Sequence, residues 1–236
     1  MMKLKGKTAI ITGASAGIGQ AIAEQLAAEG SNVVLAARST GKLKDLAEKI
    51  NQKTGGKALD VPTDVTDKSA VDELYNRAID SFGTVDIYVN NAGLVLSSAI
   101  TDREVGEWDK MVDVNIKGVL YGIDSVLPHM LEKASGHIVN IDSVSGHEVN
   151  KSSAVYAATK YAVRAISESL EKELARTGVK VSNISPGRVN TERVLKKLGD
   201  DPERKPLQPE DVAGAVVYAV TQPDYVNVNE IIVRPV

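Results

Sequence analysis

The feature of this sequence that most constrains its fold is a regular alternation of short apolar runs with amphipathic helical patterns, which continues over nearly all 236 residues. The apolar runs predict strands near residues 7–12, 32–37, 57–63, 85–89, 137–142, 179–185 and 230–233. Strands that alternate with helices form a parallel sheet with helices packed on both faces. The sequence therefore predicts one α/β domain over residues 1–236, a three-layer, doubly wound parallel sheet of about seven strands.

A glycine-rich turn joins the first predicted strand to the first predicted helix. Glycines in such a turn let the backbone approach a pyrophosphate, and the N-terminus of the following helix offers unpaired N–H groups and a partial positive charge. The spacing is G-x-x-x-G-x-G rather than the commoner G-x-G-x-x-G, and a purely structural loop is the alternative interpretation. The turn indicates the dinucleotide-binding (Rossmann) form of the fold, with contacts from Gly13, Ser15, Gly17, Ile18 and Gly19.

The end of the second predicted strand bears on which dinucleotide binds. About 20 residues after the glycine turn, an acidic residue would accept the ribose 2′-hydroxyl of NAD. Ala37 and Arg38 stand there instead, and a guanidinium pairs with a 2′-phosphate through charge-assisted hydrogen bonds. Arg38 therefore favours NADP(H) over NAD, with stacking on adenine or simple exposure to solvent as the alternatives.

Later strands also end in polar or glycine-containing segments, and ligands of parallel sheets bind beyond the carboxyl ends of the strands. Asp64 could accept a hydrogen bond from the adenine amino group, or it could cap or form a turn. Asn90-Asn91-Ala92-Gly93 could brace the sheet and pass close to a ribose, although it is also ordinary turn material. Because these segments and residues 186–191 share one edge of the sheet, we expect a single shared site.

Tyr156 and Lys160 are the residues with the clearest chemical potential. They are spaced i, i+4 in a helical pattern that opens near Ser153, so their side chains are neighbours on one helix face. An ammonium there would stabilise the phenolate, lower the pKa of the tyrosine from about 10 and make it a general acid or base. Ser143, after the fifth strand, could converge with the pair on one carbonyl oxygen. This suits ketone reduction or alcohol oxidation, although a surface helix without a catalytic role explains the pair taken alone.

Composition excludes several other classes of function. The net charge of −3 lacks the basic balance that nucleic-acid binding needs, and the absence of cysteine excludes disulfides and thiolate metal sites. The three histidines are too scattered to predict a metal site. No signal peptide or membrane-spanning pattern is visible, so we expect a cytoplasmic protein without a membrane partner. The polar, proline-bearing segment within residues 188–208 is typical of a substrate lid.

Taken together, these motifs strongly resemble the short-chain dehydrogenase/reductase family, in its short single-domain branch. The resemblance is carried by Thr12-Gly13-x-x-x-Gly17-Ile18-Gly19, Asn90-Asn91-Ala92-Gly93, Asn115, Ser143, Tyr156-x-x-x-Lys160 and Pro186-Gly187, in order and at family spacing.

This resemblance implies a catalytic tetrad of Asn115, Ser143, Tyr156 and Lys160. Tyr156 would be the general acid/base, Ser143 would bind the substrate oxygen, and Lys160 would lower the pKa of the tyrosine and hold the nicotinamide ribose. Asn115, expected to be buried, would hold a water that links Lys160 to solvent. Hydride would pass directly between nicotinamide and substrate, and a homo-tetramer or homo-dimer is implied. The implied cofactor contacts are Asp64, Val65, Asn91, Ala92, Gly93, Tyr156, Lys160, Pro186 and Gly187, with Val189 and Thr191 at the carboxamide.

Residues 209–236 resemble, more loosely, the NADP-dependent branch that acts on serine and other 3-hydroxy acids. Asp142 departs from the family pattern, where a small or hydroxyl residue is more usual, and we expect its side chain to point away from Ser143 because side chains alternate along a strand. Arg188 could bind a substrate carboxylate, or it could face solvent or brace the lid.

The prediction is an NADP(H)-dependent oxidoreductase that interconverts a small alcohol or 3-hydroxy acid with its carbonyl compound. A non-catalytic NADP(H)-binding sensor or scaffold on the same fold is the main alternative. A sugar-nucleotide epimerase shares Tyr-x-x-x-Lys but carries an added substrate domain for which this chain is too short.

Overall fold

The computed structural model describes residues 2–53, 56–96, 99–191 and 205–236. Seven strands form one sheet in the order β3-β2-β1-β4-β5-β6-β7, and each neighbouring pair is parallel. They are β1 (Thr8–Thr12), β2 (Asn32–Ala37), β3 (Ala58–Pro62), β4 (Ile87–Asn90), β5 (Gly136–Ile141), β6 (Val179–Pro186) and β7 (Glu230–Val233). The predicted doubly wound parallel sheet of about seven strands is confirmed. Each predicted apolar run overlaps one of the observed strands.

Helices cover both faces of this sheet. They are α1 (Gly17–Ala28), α2 (Thr40–Lys53), α3 (Lys68–Phe82), α4 (Val105–Val112), α5 (Gly118–Glu132), α6 (Ala154–Glu173) and α7 (Pro209–Val220). One buried apolar cluster includes Leu26, Leu43 and Val216 from α1, α2 and α7. A second cluster, with Leu74 and Val126 from α3 and α5, lies on the opposite face. The two layers of side chains leave the carboxyl ends of the strands as the edge at which the loops gather.

The predicted helical pattern from 104 to 133, with its interruption at 115–118, is divided in the structure. A turn of π-helix, Asp113–Lys117, separates α4 from α5. Asn115 lies in this turn and is buried, and its side chain bonds to groups outside the helix. An inserted π turn of this kind re-aims a side chain out of the regular helical ladder and is frequent at functional sites.

A row of buried amide side chains crosses three neighbouring strands. Asn90 Nδ2 donates to Asn140 Oδ1 at 2.9 Å, and Asn140 Nδ2 donates to Ser167 Oγ of α6 at 2.8 Å. Ser167 Oγ contacts Asn183 Oδ1 at 3.3 Å, and Asn183 Nδ2 donates to Asp142 Oδ2 at 3.2 Å. A buried polar group is costly unless it is paired, so this row fixes the carboxyl ends of β4, β5 and β6 relative to α6.

His137, in the middle of the sheet, is held in its neutral form. The Ser182 hydroxyl donates to the Val228 carbonyl at 2.6 Å and can therefore accept from His137 Nε2 at 2.8 Å. The other ring nitrogen, Nδ1, is buried and has no hydrogen-bond partner within the described ranges. Burial lowers the pKa of His137 from 6.5 to about 3, because the imidazolium would lose its hydration without gaining a partner.

We expect this histidine to make the protein less stable in acid. Its pKa is depressed on folding, so below pH 6.5 the unfolded chain binds a proton that the folded chain excludes. The contribution is fully present above pH 6.5, and each pH unit towards pH 3 removes up to about 1.4 kcal/mol of unfolding free energy. Urea unfolding at pH 7, 6 and 5 should show a flatter pH dependence for His137→Gln than for the unmodified protein. His129→Gln, at a half-buried site, is the control, and an unchanged slope in His137→Gln would contradict the assignment.

Candidate active site

Tyr156 and Ser143 meet at the carboxyl edge of the sheet. Ser143 follows β5 and caps the short 3-10 turn Val144–Gly146, where its Oγ accepts from Ser145 N at 3.1 Å. Tyr156 lies in the first turn of α6, and its ring is half-buried. The Ser143 side chain lies close enough to the Tyr156 hydroxyl to favour its phenolate. The structure therefore brings together the two hydroxyls expected to share one substrate oxygen.

The pKa of Tyr156 differs from the sequence-based expectation. Burial raises the pKa of Tyr156 to about 12, and the nearby charge of Asp142 adds to the rise, while the Ser143 side chain opposes it. The prediction of a lowered pKa is wrong for this structure, because desolvation of the phenolate outweighs the groups that favour it. At neutral pH the phenol is protonated, which is the form that a general acid requires.

Lys160 lies one helical turn after Tyr156 and is buried. Its Nζ donates to the carbonyl oxygen of Ile141 at 2.8 Å, which takes one of the three donors of the ammonium. Burial lowers the pKa of Lys160, and the charge of Asp142 opposes that effect. The ammonium is thus fixed between α6 and the end of β5, one turn from the phenol.

Asn115 ties the chain after β4 to α6. Its Oδ1 accepts from Leu94 N at 2.7 Å, and its Nδ2 donates to Leu94 O at 2.9 Å and to Thr159 Oγ at 3.0 Å. Thr159 Oγ in turn donates to the Tyr156 carbonyl at 2.7 Å. The expected burial of Asn115 is confirmed, and these bonds show how it orders the segment around Tyr156. The water implied for Asn115 stays a prediction.

The glycine turn packs against the end of β4. Asn91 Nδ2 donates to the carbonyls of Thr12 and Gly13 at 2.8 and 3.3 Å. A Cβ on Gly19 would lie 2.4 Å from Asn91 Nδ2 and from Gly13 O, so only glycine allows this approach. The first turn of α1 contains no acidic residue. The backbone N–H groups at its start therefore form a donor set that fits a pyrophosphate.

The other predicted cofactor contacts lie in or next to the glycine turn and in the loops after β3 and β4. Ala92 N donates to Thr12 Oγ at 3.0 Å. Among these contacts, Val65 is buried, and the following are half-buried: Ser15, Ile18 and Gly93. The bond from Ala92 N to Thr12 Oγ thus joins the loop after β4 to the residue directly before the glycine turn.

Arg38 and Asp64 face each other after the carboxyl ends of β2 and β3. Arg38 follows β2 with its side chain 76% exposed, and its Nη1 lies 4.0 Å from Asp64 Oδ2. Asp64 Oδ1 accepts from the backbone N and the Oγ of Thr66 at 3.0 and 2.8 Å. The structure thus shows the turn-forming use of Asp64, and a contact with adenine stays a prediction. An exposed guanidinium here fits a 2′-phosphate.

The segment after β6 lies over the glycine turn. Pro186 ends β6, and Gly187 N donates to Val233 O at 2.7 Å. A Cβ on Gly17 would lie 3.2 Å from Thr191 Cγ2, so Thr191 adjoins the start of α1. Val189 pairs with Leu207 in an isolated bridge, which joins the two ends of the predicted lid at 188–208. Residues 192–204 of that lid lie outside the described residues.

Beside Ser143 the surface opens into a cavity of about 470 Å³. Its lining includes Val144, which follows Ser143, together with Arg188, Arg234 and Glu148. Arg234 Nη1 lies 3.3 Å from Glu148 Oε1. Arg188 is half-buried and borders this cavity rather than open solvent alone. Two guanidinium groups therefore border this cavity.

Asp142 is the residue near the site whose surroundings the sequence did not reveal. Its carboxylate accepts from Asn183 of β6 and acts electrostatically on both Tyr156 and Lys160. Only the unusual acidic residue before Ser143 hinted at this arrangement, because the partner residue lies on another strand.

The described part of the chain contains no helix long and apolar enough to cross a membrane. The same part of the chain contains no group of three or more His, Asp or Glu side chains arranged to hold a metal ion.

Comparisons with known proteins agree with this geometry. The family model described as short chain dehydrogenase matches residues 7–201. An uncharacterized oxidoreductase of Staphylococcus aureus strain MW2 is 54% identical over 236 residues, which is 100% of both chains. An alcohol dehydrogenase from the archaeon Thermococcus sibiricus, solved with 5-hydroxy-NADP, superposes with a TM-score of 0.91 at 31% identity, covering 98% of this chain and 97% of that one. Serine dehydrogenase from Escherichia coli superposes with a TM-score of 0.83 at 33% identity, covering 95% and 96%.

Proposed function

The chain belongs to the short-chain dehydrogenase family, and on this premise we propose that it is an NADP(H)-dependent oxidoreductase that interconverts a small alcohol or 3-hydroxy acid with its carbonyl compound. The observation that carries the proposal is the contact of Ser143 with Tyr156, one helical turn from a buried Lys160. A proton donor, its hydroxyl partner and a fixed cation at one edge of the sheet suit proton transfer to a carbonyl oxygen.

The roles of the chain's own groups follow from their environment. In the reducing direction, Tyr156 donates its proton to the substrate oxygen, since burial keeps the phenol protonated at neutral pH. Ser143 holds that oxygen, and the buried ammonium of Lys160 favours the phenolate left behind. When bound, NADPH supplies the hydride, and the protein contributes orientation and the proton.

The residues proposed to hold the cofactor follow the carboxyl ends of the strands or lie at the start of α1. The glycine turn and the start of α1 would bind the pyrophosphate, with Gly19 and Asn91 fixing the turn. Arg38 would bind the 2′-phosphate. Val189 and Thr191 would contact the carboxamide. The complex of the Thermococcus relative with an NADP analogue supports this choice of cofactor.

The cavity beside Ser143 supports an acidic substrate as one option within the proposal. Arg188 and Arg234 border it, and a guanidinium binds a carboxylate through two parallel hydrogen bonds. The similarity to a serine dehydrogenase points in the same direction. Arg188→Ala should raise KM for a 3-oxo acid more than KM for a neutral ketone, and equal changes would assign Arg188 to the lid.

A screen of carbonyl compounds tests the proposed activity. The purified protein is mixed with NADPH, or separately with NADH, and with a panel of ketones, aldehydes and 3-oxo acids, and the loss of absorbance at the reduced nicotinamide band is followed. We expect turnover with at least one compound and a preference for NADPH. Tight NADPH binding together with silence across the whole panel would favour a sensor or scaffold.

We propose also that the protein forms a homo-dimer or homo-tetramer. Large apolar side chains are exposed on the long helix α5, among them Leu120 and Leu131, and Ile232 is exposed on the edge strand β7. Sedimentation velocity should give a mass of two or four chains, and a mass of one chain would refute the proposal. The cytoplasmic location predicted from the sequence remains part of the proposal.

A further inference from the structure

Asp142 is a buried carboxylate that lies directly between β5 and Ser143. The residue is 3% exposed. Its Oδ2 accepts from Asn183 Nδ2 at 3.2 Å, and Oδ1 is buried without a partner in hydrogen-bonding geometry among the residues described. Burial raises the pKa of Asp142, while the charge of Lys160, the bond from Asn183 and the Ser143 N–H favour the ionised form. A carboxylate this poorly solvated needs a nearby positive charge to stay ionised.

The turn that carries Ser143 closes over this carboxylate. A Cβ built on Gly146 would lie 2.5 Å from Asp142 Oδ2 and 3.2 Å from Oδ1. Any other residue at 146 would collide with the carboxylate, so the absence of a side chain lets the turn pack directly on it. The carboxylate is therefore held in one position between the turn, β6 and the start of α6.

Charged and titratable groups face Asp142 from three elements. Lys160 Nζ of α6 donates to the carbonyl oxygen of Ile141, the residue before Asp142, at 2.8 Å. Tyr156 lies one helical turn before Lys160 on α6. His147, after the turn, also acts on Asp142 electrostatically. On the β6–β7 side, Glu230 lies 3.4 Å from Asn183 Nδ2.

The other charged and titratable side chains of this cluster contact Glu230 or Ser185 instead of Asp142. His147 Nε2 lies 3.1 Å from Ser185 Oγ and 3.3 Å from Glu230 Oε1. Arg164 Nε lies 3.7 Å from the same Glu230 oxygen. Glu230 thus lies beside the imidazole of His147 and the guanidinium of Arg164. The buried ammonium of Lys160, which bonds the carbonyl oxygen of Ile141 next to Asp142, favours the ionised form of Asp142.

We propose that Asp142 is the buried counter-charge of Lys160 and sets the pH at which the Tyr156–Lys160 pair gives up its first proton. Asp142 is a positioning residue, because it acts through these two side chains and not on the substrate. The inference rests on the proposed function, in which Tyr156 is the proton donor.

The direction of the effect does not depend on which member of the pair loses its proton first. The negative charge of Asp142 raises the pKa of Tyr156 and opposes the lowering of the pKa of Lys160. Tyr156 and Lys160 lie one helical turn apart, and interacting titratable groups lose their protons in steps that belong to the pair. Removing the negative charge therefore moves the first step to lower pH in either case.

The test is the pH dependence of reduction by Asp142→Asn, a variant of almost unchanged shape. The probe is NADPH with the carbonyl compound on which the unmodified protein turns over fastest, and kcat/KM is measured in brief pH jumps from pH 7 to pH 12, a range that reaches the pKa of about 12 of Tyr156. Because reduction needs both the protonated phenol and the ammonium that favours the phenolate left behind, activity falls above the midpoint of the alkaline limb. We expect that midpoint to be about one pH unit or more lower in the variant, as for the loss of a neighbouring charge. An unchanged midpoint would overturn the proposal.

Asp86→Asn provides the matched control. Asp86 precedes β4 at the opposite edge of the sheet, and its carboxylate accepts from Lys133 Nζ at 2.9 Å and from Thr8 N at 3.0 Å. Loss of this second, partly buried carboxylate should lower stability and leave the kinetic midpoint where it is. A general loss of stability therefore cannot imitate the effect expected for Asp142.

Two further measurements keep the outcome decisive. If Asp142→Asn does not fold, the carboxyl ¹³C shift of Asp142 in the unmodified protein should report an ionised group at pH 7, and a protonated carboxyl would overturn the proposal. If Tyr156→Phe is inactive while Asp142→Asn keeps the original midpoint, this inference fails and the proposed function stands. Full activity in Tyr156→Phe would refute both the proposed function and this inference.

Discussion

Replacing Tyr156 with phenylalanine should lower kcat by roughly 10³- to 10⁴-fold, the upper part of the range that general acid–base catalysis contributes. The substitution removes the hydroxyl that meets Ser143 and leaves the ring packed in the first turn of α6. The dissociation constant for NADPH should remain almost unchanged, since the glycine turn and Arg38 are untouched. Steady-state kinetics and fluorescence titration with NADPH measure the two quantities separately.

Tyr161→Phe is the control for this substitution. Tyr161 lies on the same helix with 40% of its surface exposed, so the variant loses a hydroxyl of the same chemical kind away from Ser143. We expect it to retain the kinetics of the unmodified protein. If Tyr156→Phe kept most of the turnover of the unmodified protein, as Tyr161→Phe should, the acid/base role of Tyr156 would be refuted.

The sheet and its functional edge are predictable because their signals are local. Each strand is a short apolar run, and the glycine turn must follow the first of them for the chain to reverse into α1. The i, i+4 spacing of Tyr156 and Lys160 fixes their shared helix face without reference to the rest of the chain. Their meeting with Ser143 then follows from the parallel topology, which gathers the carboxyl ends of β5 and its neighbours at one edge.

The electrostatics of the site could not be predicted in the same way. Whether Tyr156 has a raised or a lowered pKa depends on how much water the folded chain excludes from the phenol, and burial wins here. The contact of Asp142 with Asn183 joins residues 41 positions apart in the chain, on neighbouring strands. Sequence spacing within one element contains no information about such a pair, which exists only once the register of β5 and β6 is set.

The π turn around Asn115 has a similar origin. A polar residue among apolar ones predicted burial and an interruption of the helix, and both are found. The partners of its amide, Leu94 and Thr159, come from a loop after β4 and from α6. These tertiary bonds, and not the local propensity of the helix, explain why the turn lies at Asp113–Lys117.

Replacing Arg38 with alanine should raise the dissociation constant for NADPH by roughly 10- to 100-fold, the value of one or two hydrogen bonds to a charged group. The constant for NADH, which lacks the 2′-phosphate, should change by less than about threefold. The contact with Asp64 at 4.0 Å between exposed side chains is a weak competitor, because such pairs contribute little in water. Isothermal titration with both cofactors in one buffer measures the ratio, which should shrink as salt is added.

Lys44→Ala is the control for Arg38→Ala, because Lys44 is an exposed cation on α2. Its removal changes the net charge by the same amount but takes no group from the end of β2, so both cofactors should bind as before. If Arg38→Ala weakened NADPH and NADH equally, Arg38 would contact the part that they share, by stacking on adenine, and the selection of NADP(H) would have to come from another residue. A selective loss for NADPH that Lys44→Ala does not reproduce would assign the 2′-phosphate to Arg38, because only a group placed at that phosphate distinguishes two ligands that are otherwise identical.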